Sequence, residues 1–189
     1  YMVLQPQYRG SEGYGLDHWL SSWGQWGLSM QDDKDDGVRY LIDQGLVDPD
    51  QVAMFGWSYG GYAAFAATVR SPQIYQCTIA GAGVTDISRI QADFTRNRIG
   101  RELVREGYRG LDPLSEVENA NVPILVIHGA LDQRVPIYHS NRFVDGLRAH
   151  NKEYRYIILQ GADHFSNTID YGNQIILYSE LLNWLSGPC

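Results

Sequence analysis

The sequence predicts an α/β fold in which a mostly parallel β-sheet carries helices on both faces. Apolar, β-rich runs alternate with helix-length segments, which is the pattern of parallel strands joined by crossover helices. The runs are rich in Val and Ile without strict polar alternation, as expected for strands that are covered on both sides. A length of 189 residues favours a single domain.

The predicted elements follow one another along the whole chain without an internal repeat or a linker. Strands are expected where apolar runs are bounded by turn-forming residues, near Met2–Tyr8, Val52–Trp57, Gln76–Ala80, Pro123–His128 and Tyr154–Leu159. Helices are expected in the longer segments between and after these runs, near Gln31–Gln44, Tyr59–Ser71, Ser140–Asn151 and Tyr171–Leu185. Weaker helical stretches are expected between Ile87 and Glu118.

Composition excludes several classes of protein. A net charge of −7 disfavours nucleic acid and anionic lipid as partners. With 44% hydrophobic residues and no apolar run of membrane-spanning length, both disorder and a membrane span are excluded, which predicts a soluble protein. Two cysteines, Cys77 and Cys189, are too few for a disulfide scaffold and have no zinc-binding spacing. The compartment stays open between cytoplasmic and periplasmic or secreted, and no metal or cofactor is expected.

A run of acidic residues, Asp32 to Asp36, resembles a calcium loop only superficially. Its spacing does not offer acidic residues at positions 1, 3 and 5 together with a glycine at position 6. Acidic residues in the first turn of a helix, where they face the positive end of the macrodipole, are the simpler explanation.

The segment Gly56-Trp57-Ser58-Tyr59-Gly60-Gly61 carries the clearest chemical signal. It is a G-x-S-x-G pattern between a predicted strand and a predicted amphipathic helix, which is the context of a nucleophile elbow. Glycines are expected on either side because the serine is held in a strained conformation and larger side chains would collide with the neighbouring elements. The backbone amide of Tyr59 is then placed to donate to an oxyanion. The alternative is a glycine-rich turn with an inert serine.

A serine hydroxyl is a weak nucleophile, so a base and an orienting acid must accompany Ser58. Asp132 follows the predicted strand that ends at His128, and His164 follows the next strand. The ends of parallel strands meet at one edge of a sheet, so these side chains can converge on the serine. The sequence therefore predicts that His164 is the general base and acid and that Asp132 orients it.

Other candidates for these roles are less well placed. Asp163 and Asp86 are alternatives to Asp132, and turn-forming or surface roles are alternatives for both Asp132 and His164. His128 is expected to pack and hydrogen-bond at a strand end. The remaining histidines are expected on the surface, namely His18, His139 and His150.

Several motifs together resemble the catalytic domain of the prolyl oligopeptidase family (S9) of serine peptidases. They are Tyr8-Arg9-Gly10-Ser11-Glu12-Gly13-Tyr14-Gly15, Val47-Asp48-Pro49, Gly56 to Tyr62, and His128-Gly129 through Asp132-Gln133-Arg134-Val135. The resemblance runs over nearly the whole chain and is nearest to the acylaminoacyl, dipeptidyl and oligopeptidase branches. It implies an α/β-hydrolase domain that cleaves short peptides, usually beneath a β-propeller that would lie upstream of residue 1. It is also compatible with a homo-oligomer.

The resemblance also implies substrate-binding residues. Arg134 stands where prolyl oligopeptidases bind a substrate carbonyl, although a surface ion pair is the common role of arginine in an acidic protein. The wall of the pocket for the residue before the scissile bond would comprise Trp57, Tyr59, Val84, Ile87, Ile90, Phe94 and Val135, for which ordinary core packing is the alternative. Ile87 and Ile90 replace the bulky aromatics of dipeptidyl peptidases, which puts proline preference in question.

The arginine-rich stretch from Arg89 to Arg109 is expected to be a solvated helical excursion, with a docking surface as the alternative. The family's His-Gly-Gly segment, which supplies another oxyanion donor, is expected upstream of Tyr1. A strand of the family's sheet would thereby be missing between Met2–Tyr8 and Val52–Trp57. Exposed strand edges invite aggregation, so weak activity or instability is expected of these residues alone.

Two alternatives to a peptidase remain at this level. A carboxylesterase shares the elbow and the same three residues, and differs only in the pocket. An inactive hydrolase-fold interaction module would keep the fold without the chemistry.

Overall fold

The computed structural model describes residues 1–94 (the backbone only for 91–94), 109–164 and 169–189. Within them the chain forms two compact units. The first unit comprises Tyr1–Pro49 and Asp86–Asp112, and the second comprises Asp50–Thr85 and Pro113–Cys189. In chain order the elements are α1 Leu16–Leu20, α2 Ser29–Asp43, β1 Ala53–Trp57, α3 Tyr59–Val69, β2 Cys77–Gly81, α4 Ile87–Phe94, a 3₁₀ helix Val117–Asn119, β3 Ile124–Gly129, α5 Tyr138–Ala149, β4 Tyr154–Leu159 and α6 Tyr171–Leu185.

The second unit is built on a parallel sheet, and this confirms the predicted fold class. Its described strands pair in the order β1-β2-β3-β4, and each pair is parallel. The register aligns Trp57 with Gly81 and Gly129 with Leu159. The carboxyl ends of all these strands therefore lie along one edge of the sheet.

Helices of the second unit cover both faces of this sheet. On one face, Leu177 and Trp184 of α6 pack against a buried cluster that includes Ile79, Leu125 and Ile127. Each such side chain contributes about 1.5–3 kcal/mol when it is fully buried. This apolar layer fixes the sheet as a rigid platform.

The opposite face carries α3 and α5. Thr68 of α3 shares a hydrogen bond of 2.7 Å with Thr78 of β2. The rings of Phe65 and Phe143 lie 4.6 Å apart between α3 and α5. Every residue of α3 from 61 to 69 is buried, so this helix is apolar on all sides rather than amphipathic as predicted.

The predicted elements of the second unit match the observed ones to within two residues. The largest differences are that α3 ends at Val69 rather than Ser71, and that α5 runs two residues earlier than predicted at both ends. The early end of α3 has a local cause, because a proline at position 72 disfavours helical backbone before it. Helix α6 begins as predicted, with the Asp170 side chain accepting a hydrogen bond from the N–H of Asn173 at 3.0 Å.

A disulfide joins Cys77 of β2 to Cys189 near the end of the chain. This link was not predicted from the sequence, where two cysteines were too few for a disulfide scaffold and lacked the spacing of a zinc site. The two residues are separated by 112 positions, and their Cα atoms lie 5.1 Å apart. The bond fastens the segment after α6 to the centre of the sheet.

The start of the first unit differs from the prediction. The structure assigns no strand to Met2–Tyr8, and the side chains of residues 1–4 are exposed. An apolar run becomes a strand only where another strand completes its hydrogen bonds, and among the described residues none pairs with this segment. The expected helical stretch after residue 86 begins with α4, whereas most of the Arg89 to Arg109 stretch lies outside the described residues.

The acidic run lies in α2, but the dipole explanation accounts for only part of it. Helix α2 begins at Ser29, so Asp32 alone belongs to its first turn. Asp33 instead receives a two-pronged contact from the Arg9 guanidinium at 2.6 and 2.7 Å. This side-chain hydrogen bond holds the pKa of Asp33 below its usual value. Lys34 lies 3.5 Å from the centre of the Tyr8 ring, which places a cation over an aromatic face.

No helix among the described residues combines the length and the apolar character that crossing a membrane requires.

Candidate active site

Ser58 lies between β1 and α3 in a backbone conformation that residues other than glycine rarely adopt. Its φ is 59° and its ψ is −116°. Such a conformation costs of order 1–3 kcal/mol and persists only where the surroundings enforce it. The Ser58 N–H donates to the Gly81 carbonyl at 2.9 Å, and its carbonyl accepts from the Tyr62 N–H at 2.9 Å. The turn is thus held by β2 on one side and by α3 on the other.

The glycines of the elbow have unequal roles. A Cβ on Gly56 would lie 2.2 Å from the carbonyl oxygen of Gly60, and a Cβ on Gly61 would lie 2.3 Å from that of Gly81. A Cβ on Gly60 would meet no described atom within 4 Å. The expectation that both flanking glycines avoid collisions is therefore right for Gly56 and wrong for Gly60. Gly61, outside the five-residue pattern, is the second position where the backbones approach too closely for a side chain.

His164 lies in the loop after β4 and contacts Ser58 directly. Its Nε2 is 2.8 Å from the Ser58 Oγ, and its Nδ1 is 2.7 Å from Oδ2 of Asp132. His164 is 5% exposed, whereas Ser58 is only partly buried. All these residues belong to the second unit. The structure thus brings together three side chains that are up to 106 positions apart.

Asp132 is enclosed by donors on both carboxylate oxygens. Its Oδ1 accepts from the N–H groups of Arg134 and Val135, each at 2.9 Å. Burial raises the pKa of this carboxyl, but hydrogen bonds from His128, the Val135 N–H and His164 outweigh burial and hold the pKa below its ordinary value. Asp132 therefore remains an anion at neutral pH and can stabilise a positive charge on His164.

The alternatives to Asp132 do not occupy this place. Asp86 belongs to the first unit and accepts hydrogen bonds from the Ser88 hydroxyl and the Arg89 N–H. Asp163 precedes His164, but the Nδ1 hydrogen bond of that ring goes to Asp132.

Two contacts at this site were not foreseen from the sequence. The indole Nε1 of Trp57 donates to the carbonyl of His164 at 2.8 Å and so fixes the loop that carries this histidine. The ring of His128 is fully buried, as predicted, but its Nε2 also lies 3.3 Å from Oδ2 of Asp132. A histidine at the end of a strand carries no sequence signal for such a contact, because the loop after it determines the distance.

The other histidines divide differently from the prediction. The prediction of a surface position is wrong for His139, because this residue is 1% exposed and its Nδ1 accepts a hydrogen bond from the Thr85 N–H. It lies on the inner side of α5, which the sequence pattern of that short helix did not distinguish. His150 is exposed, and His18 is half-buried with its Nε2 3.2 Å from the Tyr8 carbonyl.

The predicted substrate-binding residues lie in both units. Val84 and Val135 are buried in the second unit, and Ile87 and Ile90 are buried on α4 in the first. Burial of this kind is equally expected of packed core residues, so their role as a pocket wall stays a prediction. The side chain of Phe94 lies outside the described residues.

Two further predicted residues flank the serine and the acid. The side chain of Arg134 is exposed beside Asp132. Tyr59 is the first residue of α3, so its N–H lies in the first turn, where the macrodipole favours negative charge.

The arrangement is suited to moving a proton away from a hydroxyl. A carboxylate, an imidazole and a serine form one continuous series of hydrogen bonds, so the imidazole can accept the serine proton while the carboxylate stabilises its charge. Within the described part of the chain, no group of three or more His, Cys, Asp or Glu side chains is arranged to hold a metal ion.

The chain resembles known peptidases in sequence. It is 29% identical over 177 residues to dipeptidyl aminopeptidase BIII of Pseudoxanthomonas mexicana, an alignment covering 87% of this chain and 26% of that protein. It is 30% identical over 178 residues to dipeptidyl peptidase family member 6 of Caenorhabditis elegans, covering 87% of this chain and 24% of that protein. The chain thus spans about a quarter of the length of these curated relatives.

The structure leads to the same group of proteins. An acylaminoacyl peptidase solved in complex with Z-Gly-Gly-Phe-chloromethyl ketone superposes with a TM-score of 0.83 at 25% identity. The superposition covers 96% of this chain and 31% of that one. The expected α/β-hydrolase fold is therefore confirmed.

The family resemblance inferred from the motifs is confirmed as well. The model of the prolyl oligopeptidase family matches residues 1–187. That match takes in almost every residue, including both units and all the motifs quoted above. The chain therefore belongs to the prolyl oligopeptidase family.

Proposed function

We propose that this chain is the catalytic domain of a serine peptidase that hydrolyses short peptides through an acyl-enzyme on Ser58. In this proposal His164 is the general base and acid, and Asp132 orients it. The single observation that carries the proposal is the hydrogen-bonded series from Asp132 through His164 to Ser58, with distances of 2.7 and 2.8 Å.

Acylation would begin with attack of the Ser58 oxygen on the scissile carbonyl carbon. The hydroxyl proton passes to Nε2 of His164 as the new C–O bond forms, and the carbonyl π electrons move onto oxygen. The anionic carboxylate of Asp132 stabilises the resulting imidazolium. The Tyr59 N–H, at the start of α3, would donate to the oxyanion.

Breakdown of this intermediate would release the amine half of the peptide. The oxyanion re-forms its carbonyl, the C–N bond breaks, and His164 returns its proton to the leaving nitrogen. A water molecule then gives a proton to His164 and attacks the ester carbon. The second collapse frees the carboxylic acid and returns the proton to Ser58.

Several observations support a peptide as the substrate. The chain belongs to the prolyl oligopeptidase family, and an acylaminoacyl peptidase of the same fold was solved with a peptidyl chloromethyl ketone. The exposed guanidinium of Arg134, close to Asp132 in the chain, would bind a substrate carbonyl. The greater length of the relatives supports the further proposal that a β-propeller precedes this domain and limits access to small peptides.

The first experiment is covalent labelling of the full-length protein with a fluorophosphonate probe. We expect one labelled residue, Ser58, and loss of labelling in Ser58→Ala and His164→Ala. Ser21→Ala removes an exposed serine elsewhere and should label like the wild type. Turnover should fall about 10⁴- to 10⁶-fold on loss of Ser58 or His164. Unlabelled wild-type protein would mean that the domain is an inactive interaction module.

The substrate class needs a separate measurement. Hydrolysis rates of aminoacyl amides and short-chain esters should be compared for the wild type and for Arg134→Met. We expect measurable amide turnover that falls in the variant through a rise in KM. Ester hydrolysis without amide turnover would instead assign a carboxylesterase.

A further inference from the structure

We propose that His128 is a positioning residue of the candidate active site, whose Nε2–H holds the Asp132 carboxylate in the orientation that His164 requires. This inference rests on the proposed function and adds a fourth side chain to it. It would make the hydrogen-bonded series begin inside β3 rather than at Asp132.

The surroundings of the His128 ring determine where its proton lies. Nε2 faces the Val135 carbonyl at 2.8 Å and Oδ2 of Asp132 at 3.3 Å. A carbonyl and an ionised carboxylate can only accept, so Nε2 must carry a hydrogen. At the other side of the ring, Nδ1 lies 2.7 Å from the Ser140 hydroxyl, which donates to it when the ring is neutral.

This tautomer places one N–H group between two parts of the same loop. The Val135 N–H already donates to Oδ1 of Asp132, while the Val135 carbonyl receives from His128. His128 therefore restrains both the backbone of the loop and, more weakly, the carboxylate that the loop carries. The ring itself cannot move easily, because it is fully buried between β3 and α5 and is held by Ser140.

The site gives this contact a consequence for the chemistry. Oδ2 of Asp132 accepts from Nδ1 of His164 at 2.7 Å, and Nε2 of His128 lies 3.3 Å from the same oxygen. Together with the Val135 N–H on Oδ1, this contact restricts the rotation of the carboxylate about its last bond. The hydrogen bond from His128 also helps to keep the pKa of Asp132 low, although burial acts in the opposite direction. Without His128, the Val135 carbonyl and one side of Oδ2 would be buried without this donor.

The test compares variants of the full-length protein in steady-state peptide hydrolysis. His128→Leu removes the donor and should lower kcat about 10- to 100-fold, which is the size of effect seen when a residue that orients a metal ligand is lost, with KM changed less than about threefold. His128→Gln places an amide N–H near the position of Nε2 and should recover most of that loss. His150→Leu replaces an exposed histidine and should leave kcat unchanged.

A second variant covers the case in which His128→Leu does not fold, which thermal unfolding will reveal. Ser140→Ala keeps the ring but removes the hydroxyl that holds its Nδ1 side in place, and we expect a several-fold loss of kcat at unchanged KM. Normal kcat in folded His128→Leu or in Ser140→Ala would overturn the inference, and so would equal losses in folded Leu and Gln variants. A wild type that is not labelled at Ser58 would overturn the proposed function itself, and this inference with it.

Discussion

The elbow offers a prediction in which two neighbouring glycines respond with opposite sign to the same change. A Cβ added to Gly56 would lie 2.2 Å from the Gly60 carbonyl oxygen, so it is at least about 0.8 Å closer than real side chains come. Both partners are backbone, one in β1 and one in α3, and neither has a flexible end that can turn away. Overpacking of this kind costs about 1–3 kcal/mol or more.

Gly60 is the matched control. The same methyl group on Gly60 meets no described atom within 4 Å, and the residue lies in α3. Replacing glycine by alanine in a helix interior stabilises it by about 0.5–1 kcal/mol, and the gain is smaller at Gly60 because it is the second residue of α3. We therefore expect Gly56→Ala to lower the free energy of unfolding and Gly60→Ala to raise it slightly.

Thermal unfolding of the two variants measures the difference. For a domain of this size, 1 kcal/mol shifts the midpoint by about 2–4 °C, so a cost of about 1–3 kcal/mol should make Gly56→Ala unfold about 2–12 °C below the wild type. Gly60→Ala should unfold at or above the wild-type midpoint. Equal shifts in the two variants, or a Gly56→Ala protein as stable as the wild type, would refute the argument from close backbone contact.

Three further outcomes are expected. Cys189→Ser should lower the free energy of unfolding by about 2–5 kcal/mol, because the bond to Cys77 closes a loop of 112 residues. A reducing agent should destabilise the wild type but not the variant, and an equal response of the two proteins would contradict this prediction. The pKa of Asp132 is lower in the folded protein than the ordinary value of about 3.9, so its contribution to stability is complete well above pH 4 and is lost as the pH falls through the folded pKa. In denaturant titrations from pH 7 to 2, the free energy of unfolding should therefore decline less for Asp132→Asn than for the wild type, and parallel curves would contradict this. Residues 1–189 expressed alone should aggregate or be weakly active, because β1 pairs only with β2 among the described strands and its residue Phe55 is 52% exposed. A monomer in sedimentation assays that also shows full esterase activity in kinetic assays would disprove this.

The local parts of the fold were predictable because their signals lie within a few neighbouring residues. Helix α6 begins and ends where the sequence predicted, and β4 has the predicted bounds. The aspartate that caps α6 lies directly before this helix, and β4 is a short, largely apolar run. The Met2–Tyr8 prediction failed for the complementary reason, because a strand requires a partner elsewhere in the chain.

The site was predictable in part for a topological reason. Ser58, Asp132 and His164 could be chosen because each follows a strand, and parallel strands bring such loops to one edge of the sheet. This topological rule does not predict the distances between individual atoms. The contacts of His128 with Asp132 and of Trp57 with the His164 carbonyl depend on how each loop returns over the sheet.

The amino-acid sequence by itself determined the order of strands and helices in the second unit, the strained turn that carries Ser58, and the chemical types that meet beside it. Only the tertiary structure decided that Cys77 and Cys189 are bonded, that His139 is buried, and that Gly56 and Gly61 rather than Gly60 must lack a side chain. The physical reason is the range of the forces involved. Backbone preferences act between near neighbours in the chain, whereas bonds and steric contacts of this kind depend on the packing of segments that the sequence keeps far apart.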